Sequence, residues 1–150
     1  MVNETTVPRV DFYLLAEENM QSLHFFCCRL TEKAWRLGHS VFIRTENDAE
    51  TESLDALMWR YSEHSFLPHV RWGDEHETET PIIIASKIEP THSYDLLINL
   101  AGDIPLRKEH CPRIAEIISA DAERKKQGRL RYAQYEKNNY SLKHYNINNT

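Results

Sequence analysis

The sequence predicts one α/β domain built on a mainly parallel sheet, and three observations carry that expectation. Strand-length and helix-length apolar patterns alternate from the start of the chain through Tyr61. Two later runs, Ile82-Ile83-Ile84 and Leu96-Leu97-Ile98, are apolar without alternation, as suits strands covered on both faces. A chain of 150 residues is also long enough for a single core to bury roughly two-thirds of the unfolded surface without disulfides or metals. With 41% hydrophobic and 27% charged residues, neither a membrane-embedded chain nor a fully disordered one is expected.

The first strand is expected over residues 10–15, where Val10, Phe12 and Tyr13 supply β-branched and aromatic side chains before the polar Glu17-Glu18-Asn19. From Met20, apolar residues recur at Leu23, Phe26, Cys27, Leu30, Ala34 and Leu37, the spacing of one buried helical stripe. Gly38 then stands where a left-handed cap closes such a helix. A second strand follows over 40–44, and Asn47 with Glu50 can cap a second helix whose stripe is Leu54, Leu57, Met58 and Tyr61. Residues 65–69 and the acidic stretch 74–79 lack periodicity and read as loops, the second of them solvated. Further strands are expected at 81–85, 95–100 and 114–118. The last helix runs over 121–138 from a Ser119 or Asp121 cap, and a flexible tail begins at about 146. The order is Rossmann-like, with flanking helices and one domain over 1–150.

Sheets of this class bind nucleotides at the carboxyl ends of their strands, so the sequence must supply a phosphate cradle. It does not. The turn Ala16-Glu17-Glu18-Asn19 offers carboxylates where glycine amides are needed, and with four glycines neither G-x-G-x-x-G nor G-x-x-x-x-G-K-[ST] occurs. No phosphate-binding loop and no cofactor is expected. His64, His69 and His76 show no metal-ligand spacing, so no metal site is expected either. Cys27 lies on an apolar stripe and reads as a core residue, not a nucleophile. Three cysteines, two of them adjacent as Cys27-Cys28, allow no full disulfide framework and fit a reducing compartment. The pairs Glu17-Glu18 and Glu75, Glu77 read as solvated carboxylates, leaving no catalytic constellation. Met1-Val2-Asn3-Glu4 carries no basic region before an apolar core, so a cytoplasmic chain without a membrane contact is expected.

Binding chemistry is more visible. Eighteen basic against 23 acidic residues leave a net charge of −5, the wrong sign for coating nucleic acid, so any anion-binding surface must be local. Arg124, Lys125, Lys126, Arg129 and Arg131 form such a local reversal in the last helix. A helical wheel puts Ala122, Leu130 and Ala133 on a narrow buried side, with Lys125, Arg129 and Tyr132 together on an adjoining face. Cations beside a ring suit an acidic peptide that ends in a carboxylate and an apolar side chain. Trp59 lies off the stripe of its helix and is a residue type that dominates interfaces. Phe66-Leu67-Pro68 is an apolar group in a loop, which fits a protein contact and a loop tucked into the core equally well.

In order and spacing, several segments resemble the chi subunit of bacterial DNA polymerase III, an accessory protein of the clamp loader. They are Phe12-Tyr13-Leu14-Leu15, Leu54-Asp55-Ala56-Leu57-Met58-Trp59, Ser65-Phe66-Leu67-Pro68-His69, Asp95-Leu96-Leu97-Ile98-Asn99-Leu100, and Arg131-Tyr132 through Tyr135 to Tyr140. The resemblance covers nearly the whole chain. It implies a parallel α/β fold without a phosphate loop and a non-catalytic place in a DNA-directed DNA polymerase holoenzyme that acts in DNA replication. The implied partners are the psi subunit, the clamp-loader complex through psi, and the acidic C-terminal tail of single-stranded-DNA-binding protein, which ends in Pro-Phe. DNA is then reached only indirectly. The implied tail pocket comprises Trp59, Ile118, Lys125, Arg129 and Tyr132, with Arg129 on the terminal carboxylate, and Phe66, Leu67 and Pro68 belong to the psi-facing surface. The chain departs from the family at Ala133, where a basic residue is frequent, and at Asn139, in place of a glycine, both at the pocket's rim. Residues 73–80 carry no family signal. The competing reading is direct single-strand binding, with Tyr132 and Trp59 stacking bases and the basic helix tracking phosphates, and the net charge opposes it.

Overall fold

The computed structural model describes residues 8–61, 67–105 and 111–148. Its elements in chain order are β1 (Arg9–Leu15), α1 (Met20–Arg36), β2 (Val41–Thr45), α2 (Asp48–Tyr61), β3 (His69–Arg71), β4 (Ile82–Ser86), β5 (Leu96–Asn99), β6 (Arg113–Ile118), α3 (Ala122–Lys137) and β7 (Ser141–Ile147). The seven strands form one sheet in the order β3-β4-β2-β5-β6-β1-β7, and every pairing is parallel. This is the α/β architecture that the apolar runs predict.

Two cores flank the sheet because successive strand residues point to opposite faces. Leu23 and Phe26 of α1 and Leu54 and Met58 of α2 cover Val41, Ile43, Ile84, Ile98 and Ile117 on one face. On the other face, Tyr135 of α3 packs over Phe12, Phe42, Leu97, Ile114 and Ile118.

Helix ends follow the expected chemistry. The Asn19 side chain accepts a hydrogen bond from the Ser22 N–H at 2.7 Å. Gly38, at φ 87°, donates its N–H to the Trp35 carbonyl, and His39 donates to the Ala34 carbonyl. Asn47 caps α2 through the Glu50 N–H at 2.8 Å, and the Glu50 carboxylate reaches back to the Glu46 N–H at 2.7 Å. Asp121, not Ser119, caps α3, accepting from the Arg124 N–H at 3.1 Å. Asn139 takes the left-handed conformation after α3, at φ 64°, a backbone turn open to asparagine as well as glycine.

The structure departs from expectation in four places. β3 occupies the end of the segment read as a loop. β7 runs through Ile147, so the chain is paired strand where a flexible tail was expected from about 146. Leu37, placed on the α1 stripe, is 68% exposed beyond the last turn of the helix. On α3, Ala122, Leu130 and Ala133 are exposed, Leu130 by 57%, and the buried side is Gly128, Arg131 and Tyr135. A buried carboxylate on the sheet beneath α3 explains this last reversal.

Candidate binding site

Arg44, Asn99 and Glu116 are register neighbours on β2, β5 and β6, so all three point to the α3 face. Arg44 Nη1 donates to Asn99 Oδ1 at 3.0 Å, and Asn99 Nδ2 donates to Glu116 Oε2 at 2.8 Å. Glu116 is 0% exposed. It also accepts from the Tyr135 hydroxyl at 2.8 Å and from Arg131 Nε at 3.0 Å. Burial pushes its carboxyl above the ordinary range, against the pull of the Arg131 guanidinium and these donors. An unpaired charge here would be costly, and that cost dictates which side of α3 faces the sheet. Arg131 and Tyr135, one helical turn apart, must point inward, which turns Leu130 out.

Gly128 lies one turn before Arg131 on the same buried side. A Cβ at this position would sit 3.0 Å from Ile118 Cδ1, so glycine lets α3 approach β6 closely. Gly128→Val forces β-branched methyls against Ile118 and lifts α3. We expect a stability loss of about 1–3 kcal/mol in urea denaturation and a closed or displaced pocket beside it. An unchanged midpoint would show that the close approach is incidental.

With the inward side fixed, Lys125, Arg129 and Tyr132 stand over a pocket of about 320 Å³. Phe12 and Leu14 of β1, Ile118 of β6 and Gly128 make its floor, and His144 of β7 closes the rim. Phe12 and Tyr132 rings meet at 5.1 Å, which holds the tyrosine at one wall. Lys125 and Arg129 are exposed, and neither side chain has an ion-pair or hydrogen-bond partner among the described residues. Such a site can bury one apolar side chain while two cations, one of them a fork, take carboxylates.

Of the five residues expected in one pocket, the structure brings together Ile118, Lys125, Arg129 and Tyr132. Trp59 is elsewhere. It lies on α2, over the opposite face of the sheet and towards the β3 edge, where its ring packs on His69 at 4.5 Å and stays 51% exposed. Trp59 and Tyr132 therefore cannot stack consecutive bases of one strand. Leu67 is fully buried and Pro68 half-buried, so Leu67 is core, while Phe66 and His64 lie outside the described residues. Arg131, read as part of the basic surface, belongs to the buried ion pair. Phe12, Leu14, Gly128 and His144 were missed.

Cys27, Cys28 and Cys111 are free and buried, and burial pushes the thiols of Cys28 and Cys111 up to about 12. No group of three metal-ligating side chains occurs among the described residues. The crevice beyond β5 and β6, where this class of sheet holds nucleotides, is lined by the carboxylates Glu46, Asp121 and Glu123 beside Arg124 and Arg131, and Asp121 takes up the Arg124 N–H at the start of α3. No described helix is long and apolar enough to cross a membrane.

A family model for the DNA polymerase III chi subunit, HolC, matches residues 7–143. The chain belongs to this family. Its place as a chi subunit of DNA polymerase III is in DNA replication. DNA polymerase III subunit chi of Pseudomonas aeruginosa is 29% identical over 139 residues, covering 93% of this chain and 96% of that protein. The Haemophilus influenzae chi subunit is 30% identical over 137 residues, 91% of this chain and 95% of the relative. The Escherichia coli chi subunit is 24% identical over 136 residues, with coverages of 87% and 92%. Among solved structures, T4 UvsW matches 96% of the chi chain with a TM-score of 0.67 and 12% identity. A DEAD box protein from Methanococcus jannaschii matches 95% with a TM-score of 0.57 and 11% identity. The chi chain spans 42% of each of these two proteins, and the likeness is one of fold alone.

Proposed function

We propose that this chi subunit is a non-catalytic adaptor that acts in the cytoplasm, joining the clamp loader, through psi, to the acidic C-terminal tail of single-stranded-DNA-binding protein. One observation supports the tail site above all others: two unpartnered cations, Lys125 and Arg129, stand over an apolar floor of Phe12, Leu14 and Ile118. The pocket receives the terminal phenylalanine, Arg129 grips the terminal carboxylate, and Lys125 faces the acidic residues before it. DNA is held only through the coating protein.

The psi-facing surface is assigned to Phe66 and Pro68, with buried Leu67 shaping the segment from below. Trp59 joins it, since its ring lies on His69 beside that segment and away from the tail pocket. Trp59 and the tail pocket lie on opposite faces of the sheet, which supports binding of both partners at once. The test is gel filtration of the chain with psi and single-stranded-DNA-binding protein, intact or without its last residues. The adaptor reading predicts one three-component peak that loses only the coating protein on tail deletion. Mutual exclusion of the two partners, or retention of the tailless protein, would contradict it.

A further inference from the structure

The open edge of the sheet carries a further inference, which rests on the tail-binding reading. Among the described residues β7 pairs only with β1, on one side. Its other side presents the amides and carbonyls of Ser141–Ile147, and most of its residues are exposed. The devices that normally blunt an edge are scarce. The register with β1 is unbroken from Ser141 to Ile147, no proline interrupts it, and Lys143 is its one fixed charge. A long regular edge of this kind is a template for another strand.

Cations stand over apolar ground on both sides of that edge. On the α3 side is the pocket with Lys125 and Arg129 above Phe12 and Leu14. On the α1 side a groove of about 530 Å³ lies between α1 and the end of β7, floored by Tyr13, Phe26 and Ile147. Tyr13 stacks on Tyr145 of β7, with centroids 5.4 Å apart and planes at 21°, which carries the apolar floor out to the edge. Arg29 and Lys33, one turn apart on α1, line this groove and are exposed. Arg29 lies over the Phe26 ring at 5.9 Å and has no carboxylate partner among the described residues, nor has Lys33. Arg36, by contrast, is engaged by Glu32 at 2.9 Å and is not available.

A strand added to β7 sends alternate side chains to the two faces. An acidic strand therefore meets cations on both. We propose that the β7 edge takes up the acidic segment just ahead of the tail's apolar terminus as an eighth strand, its last residue in the pocket and alternate carboxylates towards Arg29 and Lys33. Six or seven extended residues reach roughly 20–23 Å, about the length of β7 itself. Main-chain hydrogen bonds hold the segment regardless of its sequence, and the flanking charges select acidic ones.

The test compares two fluorescent peptides by anisotropy, the last three residues of the tail alone and a ten-residue tail with its acidic segment. A third peptide is the ten-residue tail N-methylated at alternate backbone positions, prepared in both registers. The longer peptide should bind about tenfold tighter than the short one. That increment should vanish in one N-methyl register and in the Arg29→Glu/Lys33→Glu double variant, while the short peptide binds the variant as it binds the parent. Both substitutions are on the exposed side of α1, and an unchanged thermal melt verifies folding. Equal affinity of long and short peptides, or an increment that survives both N-methyl registers, overturns the eighth strand. An increment lost on N-methylation yet unchanged in the double variant overturns the role of α1. Failure of every peptide to bind overturns the tail pocket as well.

Discussion

Replacing Glu116 with leucine is expected to cost about 3–5 kcal/mol of folding stability, because it strands the Arg131 guanidinium in the interior. Arg131 is itself almost fully buried, with its Nε committed to Glu116 and one Nη to the Gly102 carbonyl at 3.2 Å. The same substitution leaves the Tyr135 hydroxyl without its acceptor, while the Asn99 amide loses one acceptor and keeps the Asp103 carbonyl at 2.9 Å. A domain of this size has a total stability on the order of 5–15 kcal/mol, so much of the population would unfold in mild urea. The double variant Glu116→Leu/Arg131→Met removes both charges and should recover part of the loss, the remainder reflecting chiefly the Tyr135 hydroxyl. Urea midpoints of the parent, Glu116→Leu, Arg131→Met and the double variant give the coupling energy. A loss below about 1 kcal/mol for Glu116→Leu would contradict the view that this carboxylate orients α3.

Arg129→Ala should weaken tail binding ten- to a hundredfold, as expected for a charge-assisted contact of about 1.5–3 kcal/mol. Stability should hardly change, since Arg129 is exposed and has no partner among the described residues. Arg129→Lys keeps the charge but loses the fork, so its affinity should fall between parent and alanine variant. Arg131→Ala, two positions away, should behave oppositely, reducing stability first and binding only as a consequence. Equal affinities for parent and Arg129→Ala would remove the arginine from the pocket.

Much of the fold was legible because apolar periodicity reports burial directly. The strands over 82–86, 96–99 and 113–118 and the first two helices follow from it, while α3 was legible from its cap. β7 escaped because it is an exposed edge strand, with no run of buried residues to mark it. The basic face of α3 was legible from the spacing of Lys125, Arg129 and Tyr132, but its inward side was not. A wheel ranks Leu130 above Arg131 by hydrophobicity, whereas a buried carboxylate on the sheet reverses that order. The signal existed. Arg44, Asn99 and Glu116 each interrupt an otherwise apolar strand, and three such interruptions imply a buried polar network that needs a cationic partner. Gly128 in a helix interior was a second signal, since it costs helix stability unless something approaches closely. The distance of Trp59 from the pocket was not legible, because spacing on α2 reveals that it leaves the core stripe but not which face of the sheet α2 covers.

The pocket over Phe12, Leu14 and Ile118 is tested most directly by titrating the chain with a fluorescent peptide that carries the complete tail, ending in Pro-Phe, and with the same peptide lacking its final phenylalanine. Burial of one phenylalanine side chain contributes about 1.5–3 kcal/mol, so the complete tail should bind at least about tenfold tighter, with the affinity of both peptides falling as salt rises. Equal binding by the two peptides, or no binding by either while a bare oligonucleotide binds, would contradict the account.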